Sequence, residues 1–193
     1  VGPGSKYRGQ TTREFAQGSW KEIRLDIDPN AVPDICGSIL DMEAVGEASI
    51  DAIYSSHNLE HIYFHEVERA LREFNRVLTP DGYVVLTCPD LRLVASAIAE
   101  DRLLDPLYES PAGLITPMDI VYGHGASLKS GNYFMAHKCG FTEKTLTKCF
   151  LDSGFSNTIT TSRSGPYFDL WILATRSHTE EQSLRSLAKL HFP

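Results

Sequence analysis

The sequence has few cysteines and no long apolar run. Among Cys36, Cys88, Cys139 and Cys149 there is no Cys-x-x-Cys pair, which argues against a zinc cage and a secreted disulfide framework. A membrane-spanning helix needs about 20 consecutive apolar residues, and the sequence contains no such run. The chain also does not open on a charged and then apolar leader. We therefore expect a soluble, cytoplasmic protein with reduced thiols and no membrane partner.

Positive charge is also scarce. Lys and Arg number 18 against 25 Asp and Glu, which gives a formal net charge of −7. Proteins that bind the phosphate backbone of nucleic acids need an excess of positive charge, so we expect no nucleic-acid partner. Hydrophobic residues make up 42% of the 193 residues and charged residues 22%. These fractions are typical of a globular protein, and the length predicts a single domain over residues 1–193.

The first half of the chain alternates between strand and helix patterns. Apolar and polar residues alternate over Trp20–Ile27, which predicts a half-buried strand, and Ile50–Tyr54 predicts another. Apolar residues then recur at helical spacing over Leu59–Leu78. Tyr83–Cys88 is almost wholly apolar, as in a strand covered on both faces. Strand, helix and strand within about 40 residues predict a βαβ unit and a parallel sheet.

The second half ends in a predicted antiparallel hairpin. The patterns predict a helix from Leu91, a helix between Thr142 and Gly154, strands over Asn157–Arg163 and Phe168–Thr175, and a last helix that Thr179 caps. Between the first two of these helices, proline and glycine interrupt every pattern over residues 106–137. A connection of that length is typically functional or mobile, so we interpret it as a lid-like segment.

In an open α/β sheet, ligands bind outside the carboxyl ends of the strands. This rule selects the turn Gly2-Pro3-Gly4, Asp26, the segment Ser55–His57 and the dipeptide Pro89-Asp90. Glycines let the backbone approach a ligand closely, and an acidic residue about 20 positions later can bind both hydroxyls of a ribose. Gly4 and Asp26 are 26 − 4 = 22 positions apart.

The segments Asp51–His61, Arg76–Tyr83 and Cys88–Asp90 closely resemble class I S-adenosylmethionine-dependent methyltransferases. Within that superfamily, the chain is similar to the group in which His-x-Leu-Glu-His follows strand four and Arg-Val-Leu-x-Pro-x-Gly precedes strand five. The resemblance covers about Val1–Cys88 and resumes over His137–Ala174. It implies a Rossmann-like, mostly parallel sheet of seven strands with a C-terminal antiparallel hairpin.

The resemblance also implies a cofactor, S-adenosylmethionine, and residues to hold it. Gly2 and Gly4 match the turn around its methionine part, Asp26 matches the acid that binds the ribose, and Ile27 lies where a side chain flanks the adenine. The segment that would bind the adenine contains Ser38, Ile39 and Asp41, and either Ser38 or Asp41 would meet the adenine amine. Ser56, at the end of the strand before the His-x-Leu-Glu-His segment, is a further cofactor-binding candidate.

Histidines are the candidates for a catalytic base. His57 is expected at the cleft, whereas His124 and His137 lie in or beside the lid-like segment. The segment from His57 to His61 also fits the His-x-x-Glu-His zinc signature, in which both histidines ligate the metal from one helix face. Because this segment begins at a strand-to-helix turn, we expect no metal there, with His61 and His65 outside the cleft.

The favoured function is methyl transfer from S-adenosylmethionine to a hydroxyl or amine of a small molecule. A protein of the same fold that binds the cofactor without catalysis is the alternative, and a zinc hydrolase is the third hypothesis. The expected partners are the small-molecule acceptor and, as a further candidate, a second copy of the chain in a homodimer.

Overall fold

The computed structural model describes residues 1–2, 4 and 7–193, so Pro3 of the predicted first turn lies outside the described residues. The strands are β1 (Leu25–Asp26), β2 (Ile35–Cys36), β3 (Ile50–Ser56), β4 (Leu78–Pro89), β5 (Tyr108–Ser110), β6 (Gly113–Ile115), β7 (Asn157–Arg163) and β8 (Asp169–Thr175). The helices are α1 (Arg13–Gln17), α2 (Val67–Val77), α3 (Leu91–Ala99), α4 (Pro117–Tyr122), α5 (Gly125–Lys129), α6 (Glu143–Asp152) and α7 (Glu181–His191).

The central sheet has the strand order β3-β4-β8-β7. Strands β3 and β4 are parallel, while β8 runs antiparallel to both β4 and β7. Strands β1 and β2 form a separate parallel pair. The start of the chain lies between the two sheets, since Gly2 N–H donates to Leu25 O (2.8 Å) and the Val1 amino group donates to Tyr54 O (2.6 Å). The predicted α/β class and hairpin are confirmed, in a mixed central sheet of four strands rather than one sheet of seven.

Strand β4 lies at the centre of the core, as its apolar sequence predicts. Val84 and Leu86 pack with α2 and α6 on one face of the sheet, and Val85 packs with α1 and α7 on the other. These three side chains are fully buried. Helices therefore cover both faces of the sheet, and the polar ends of its strands are left to form a site.

The predicted helix over Leu59–Leu78 is shorter in the structure. Residues Leu59–His61 and Phe64–Glu66 form separate 3-10 turns, and the α-helix begins only at Val67. The backbone is extended at Ile62 and Tyr63, and the Glu66 carboxylate accepts a hydrogen bond from the Tyr63 N–H (2.9 Å). This local capping starts a new turn and breaks the helix that the apolar spacing predicts.

Two other expectations need correction. Of the predicted strand Trp20–Ile27, only Leu25–Asp26 pairs, because the Arg24 N–H donates to the Asp34 carboxylate (2.7 Å) instead of a strand partner. Helix α7 begins after Glu180, so Thr179 does not cap it. The predicted cap at Thr142 is confirmed, since its hydroxyl accepts from the Thr145 N–H.

The lid-like segment contains regular structure that its sequence does not predict. Residues 106–137 hold the β5–β6 hairpin, α4, α5 and a 3-10 turn at Tyr133–Met135. Ile115 and Ile120 are buried against Val94 of α3. These elements have three to six residues each, too few to show a period in the sequence. Its function as a lid stays a prediction.

Gly123 fixes how α4 meets the end of this segment, and we expect Gly123→Ala to destabilise the protein. Its φ is +100°, and a Cβ at this position would lie 2.0 Å from the Met135 carbonyl oxygen. Gly131→Ala is the matched control, because Gly131 has a φ of +90° and its Cβ would meet no described atom within 4 Å. Both variants carry backbone strain of about 1–3 kcal/mol. The clash should cost Gly123→Ala a further ~1–3 kcal/mol in urea unfolding, and equal losses would contradict this account.

Among the helices of the described residues, none has the length and apolar character needed to cross a membrane.

Candidate functional site

The first glycine turn and Asp26 lie together, as their spacing predicts. Gly4 N–H donates to Asp26 Oδ2 (2.8 Å), and Asp28 N–H donates to Asp26 Oδ1 (2.9 Å). Gly2 and Gly4 both have positive φ, at +60° and +54°, a conformation that favours glycine. Asp26 is buried, and two backbone donors fix its carboxylate at the end of β1.

Asn58 completes this turn, although the sequence analysis did not select it as a site residue. A Cβ on Gly2 would lie 2.4 Å from Cγ of Asn58, so only glycine lets the turn approach this side chain. The Asn58 Nδ2 atom is buried and donates to no group within the described residues. An amide donor that no described residue pairs is therefore held beside the glycine turn. Its place directly after β3 and Ser56-His57 was the signal available in the sequence.

The segment after β2 forms the next part of the same strand edge. Asp26 pairs with Cys36 in the parallel β1–β2 ladder, and Gly37 N–H donates to Asp26 O (2.9 Å). Ser38 Oγ accepts a hydrogen bond from Leu40 N–H (3.1 Å), which organises the turn that leads to Asp41. The β1–β2 pair thus places the predicted ribose acid next to the predicted adenine segment.

The predicted adenine contacts differ in exposure. Ile27 is 51% exposed beside the buried Asp26, which leaves an apolar side chain open to a ligand. Asp41 is exposed and its Oδ1 accepts a hydrogen bond from Glu43 N–H (3.3 Å). The Ile39 side chain is buried in the core. Ser56 ends β3, two positions after Tyr54, whose pKa is raised mainly by burial.

His57 leaves β3 at the sheet edge, as predicted. Its backbone has a φ of +49°, its N–H donates to Thr87 O (2.9 Å), and its side chain is 47% exposed. The Nδ1 atom lies 3.3 Å from Oε1 of Glu60. His57 therefore connects the open edge of the sheet with a buried carboxylate.

Glu60 is the centre of a cluster that the sequence analysis did not assign. Its side chain is 1% exposed, and neither carboxylate oxygen has a hydrogen-bond partner within the part of the chain that the structure describes. His57, His61 and His137 surround it. Burial raises the pKa of Glu60, but the nearby histidines outweigh burial and hold it below the usual range. A charged carboxylate is thus buried among imidazole rings.

His137 reaches this cluster from the far end of the lid-like segment. Its Nδ1 hydrogen-bonds Ile120 O (2.7 Å), and its ring centroid lies 4.8 Å from that of His61. Burial lowers the pKa of His137. His61 belongs to the same cluster, because its ring packs against His137 and its Nδ1 hydrogen-bonds Ala136 O (3.1 Å).

The remaining histidines stand apart from Glu60. His124 Nδ1 hydrogen-bonds Ser127 Oγ (2.8 Å) next to Asp119, within the lid-like segment. His65 is exposed and stacks on Tyr63, in agreement with its predicted place outside the cleft. The structure therefore brings two of the three predicted catalytic histidines, His57 and His137, to one carboxylate.

A comparison with protein families assigns the first part of the chain. Residues 1–86 match the family model of the methyltransferase domain. Over these residues, the sequence is that of a class I S-adenosylmethionine-dependent methyltransferase domain. The family that the sequence resemblance predicts is confirmed, and the prediction of S-adenosylmethionine as cofactor is confirmed with it. No curated protein matches the chain.

Three solved structures are similar to the chain, and the first of them supports the fold. A Thermotoga maritima S-adenosylmethionine-dependent methyltransferase, described as a possible histamine N-methyltransferase, is 13% identical, with 79% of this chain and 72% of that chain covered and a TM-score of 0.51. The Burkholderia thailandensis 1,6-didemethyltoxoflavin-N1-methyltransferase, solved with its substrate and S-adenosylhomocysteine, is 13% identical, with coverages of 80% and 60% and a TM-score of 0.48. A Nostoc punctiforme structure, described provisionally as an O-methyltransferase, is 18% identical with a TM-score of 0.44, and the match covers 73% of this chain and 35% of that one.

The methyltransferase domain has a strand edge that fits its cofactor. Gly2 and Gly4 have positive φ, a side chain at Gly2 would meet Asn58, and the buried Nδ2 of Asn58 has no partner among the described residues. Each carboxylate oxygen of Asp26 receives one backbone hydrogen bond. Because a carboxylate has about four acceptor sites, Asp26 keeps capacity for two ribose hydroxyls.

Proposed function

We propose that this protein transfers the methyl group of S-adenosylmethionine to a hydroxyl or amine of a small-molecule acceptor. The observation that carries the proposal is the hydrogen bond from Gly4 N–H to Asp26 Oδ2, at 2.8 Å. It joins the glycine turn to the acid that would bind a ribose, at the carboxyl edge of the strands where α/β proteins bind ligands.

The proposed roles of the cofactor-binding residues follow from their placement. Asp26 accepts from the ribose hydroxyls, Ile27 covers one face of the adenine, and Gly2 and Gly4 let the backbone approach the methionine part. Ser38 or Asp41 accepts from the adenine amine; both follow β2, beside Asp26. The Asn58 amide, which has no hydrogen-bond partner among the described residues, donates toward the turn. When bound, the cofactor supplies an electrophilic methyl group on a sulfonium.

The protein's own contribution to transfer is alignment, exclusion of water and, where needed, removal of a proton. A base is needed only if the acceptor carries a proton of high pKa. His57 is the best placed of the three histidine candidates, since it lies at the strand edge and is 47% exposed. Glu60 Oε1 lies 3.3 Å from Nδ1 of His57, on the side of the ring away from a proton taken up at Nε2. His124 and His137 stay candidates on the side of the lid-like segment.

Calorimetry with S-adenosylhomocysteine tests the cofactor site. We expect micromolar binding, because a preformed turn and a fixed carboxylate need little reorganisation. Adenosine should bind more weakly, since it lacks the amino-acid part that the glycine turn would hold. Silence at millimolar S-adenosylhomocysteine from folded protein would overturn the proposal. Transfer of a labelled methyl group to a panel of small hydroxyl and amine compounds then separates an enzyme from a protein that only binds the cofactor.

Replacing His57 tests the base. For an acceptor hydroxyl, His57→Ala should lower kcat by about 10²–10⁴-fold, the range typical of a lost general base. Binding of S-adenosylhomocysteine should change little. His65→Ala is the matched control, because His65 is exposed outside the cleft and should leave kcat unchanged. If kcat is equal in wild type and His57→Ala across the acceptors, His57 is not the base.

A further inference from the structure

We propose that Glu60, His61 and His137 form a binding site for a divalent transition-metal ion of the zinc class. One ring nitrogen of each histidine and a carboxylate oxygen of Glu60 lie within 4.8 Å of one another. The three residues come from two segments, the 3-10 turn at Leu59–His61 and the end of the lid-like segment. This site goes beyond the cofactor edge and replaces the expectation that the protein holds no metal.

The state of Glu60 is the independent observation that points to a cation. Its side chain is 1% exposed and both carboxylate oxygens lack hydrogen-bond partners among the residues that the structure describes. The His57 ring lies beside it, with Nδ1 3.3 Å from Oε1, but the two groups make no hydrogen bond, and a buried carboxylate is costly unless it is hydrogen-bonded or bound to metal. Glu60 is held firmly in this position, because its carbonyl accepts hydrogen bonds from Lys138 N–H (2.8 Å) and Cys139 N–H (3.3 Å).

Both histidines are oriented as metal ligands commonly are. Nδ1 of His61 lies 3.1 Å from Ala136 O, and Nδ1 of His137 lies 2.7 Å from Ile120 O. A carbonyl oxygen can only accept, so each Nδ1 carries the proton and each Nε2 is left with its lone pair. Donation of one ring N–H to a backbone carbonyl is the usual way in which proteins fix a ligating imidazole.

The donor set selects the class of ion. Two imidazoles and one carboxylate suit zinc and neighbouring transition metals, whereas magnesium and calcium prefer oxygen donors alone. Three protein ligands leave at least one position open in a tetrahedral site. His57 lies beside one of the proposed ligands, with its Nδ1 3.3 Å from Glu60 Oε1. The ion would therefore adjoin the strand edge where the acceptor is expected.

This site differs from the zinc signature in the sequence. That signature uses His57 and His61 as ligands on one α-helix, with Glu60 as a base. Here the segment is a 3-10 turn, and Glu60 is itself a ligand. The third ligand, His137, follows His61 by 137 − 61 = 76 positions, so the site depends on the fold.

Metal binding by the full chain tests the inference. After removal of metal with a chelator and dialysis, zinc titration should show one equivalent bound per chain and raise the melting temperature. Cobalt(II) should give visible absorption from a site with nitrogen ligands. His61→Ala and His137→Ala should each weaken zinc binding by more than about tenfold, the loss that follows even from removing an indirect partner. His65→Ala and His124→Ala are matched controls and should bind zinc as tightly as the wild-type protein does.

Glu60→Gln separates a metal site from a simple buried ion pair. It keeps the shape of the side chain and removes the charge, so it should fold and lose zinc affinity together with the cobalt spectrum. No zinc uptake, no cobalt absorption and no change in melting temperature with the wild-type protein would overturn the inference. So would unchanged stoichiometry in both His61→Ala and His137→Ala. Binding of S-adenosylhomocysteine, measured in parallel, reports on the cofactor site independently.

Discussion

Replacing Asp26 by alanine is expected to weaken binding of S-adenosylhomocysteine by about 10–100-fold, or roughly 1.5–3 kcal/mol, the worth of charge-assisted hydrogen bonds to a carboxylate. Asp26 is buried and the Gly4 and Asp28 N–H groups fix both of its oxygens. A ribose would therefore meet a carboxylate that is already in place. Calorimetry on the wild type and the variant measures the difference.

The same contacts give Asp26→Ala an effect on the free protein. From the sequence alone, a carboxylate at the end of a strand is expected to contribute little to stability. Asp26→Ala would then leave the melting temperature of the free protein nearly unchanged. The structure shows instead that two backbone N–H groups lose their acceptor, at a cost of about 1–3 kcal/mol if they stay buried. We now expect a lower melting temperature, so affinity must be measured well below it.

Asp28→Ala is the matched control for Asp26→Ala. Asp28 lies two positions later and carries the same charge, but it is only partly buried and accepts from Asn30 N–H (2.9 Å) in its own turn. Its removal changes the net charge equally and leaves the predicted ribose contact intact. If Asp26→Ala binds as tightly as Asp28→Ala, the ribose assignment is wrong.

The sequence predicts well those elements that are long enough to show a regular apolar spacing or that end at a clear turn. The apolar face of α2, with Phe74 and Leu71 fully buried, is visible as spacing of three and four residues. The β7–β8 hairpin follows from two strands and a short link. The short elements of residues 106–137 were missed, because three to six residues cannot show a period.

The candidate site also has a part that the sequence predicts and a part that it does not. Gly4 and Asp26 are found by spacing, since a strand-end acid about 20 residues after a glycine turn is a local pattern. The contact of Glu60 with His137 has no such pattern, because the two residues are 137 − 60 = 77 positions apart. Only the docking of the chain at the end of the lid-like segment, where Lys138 N–H donates to Glu60 O (2.8 Å), places that imidazole beside the carboxylate.

Stability should fall on acidification because of His191, a buried residue of α7. Its Nδ1 hydrogen-bonds Thr12 Oγ1 (2.8 Å) and its Nε2 hydrogen-bonds the Tyr83 hydroxyl (3.0 Å). Burial lowers the pKa of His191 from 6.5 to about 4. Above pH 6.5 the imidazole is neutral in both the folded and the unfolded chain. Between pH 6.5 and about 4 the unfolded chain binds a proton that the folded chain does not, so the free energy of unfolding decreases as the pH falls.

The loss of stability should be about 1–3 kcal/mol across that range, given about 1.4 kcal/mol for each unit of pKa difference and a reduction for solvent screening. His191→Gln cannot titrate and keeps polar atoms near Thr12 and Tyr83, so its unfolding free energy should depend less on pH. His178→Gln removes an exposed histidine and should follow the wild-type curve. Urea unfolding at several pH values compares the three proteins. If His191→Gln and the wild type lose stability in parallel between pH 6.5 and pH 4, the burial of a neutral His191 is not the cause.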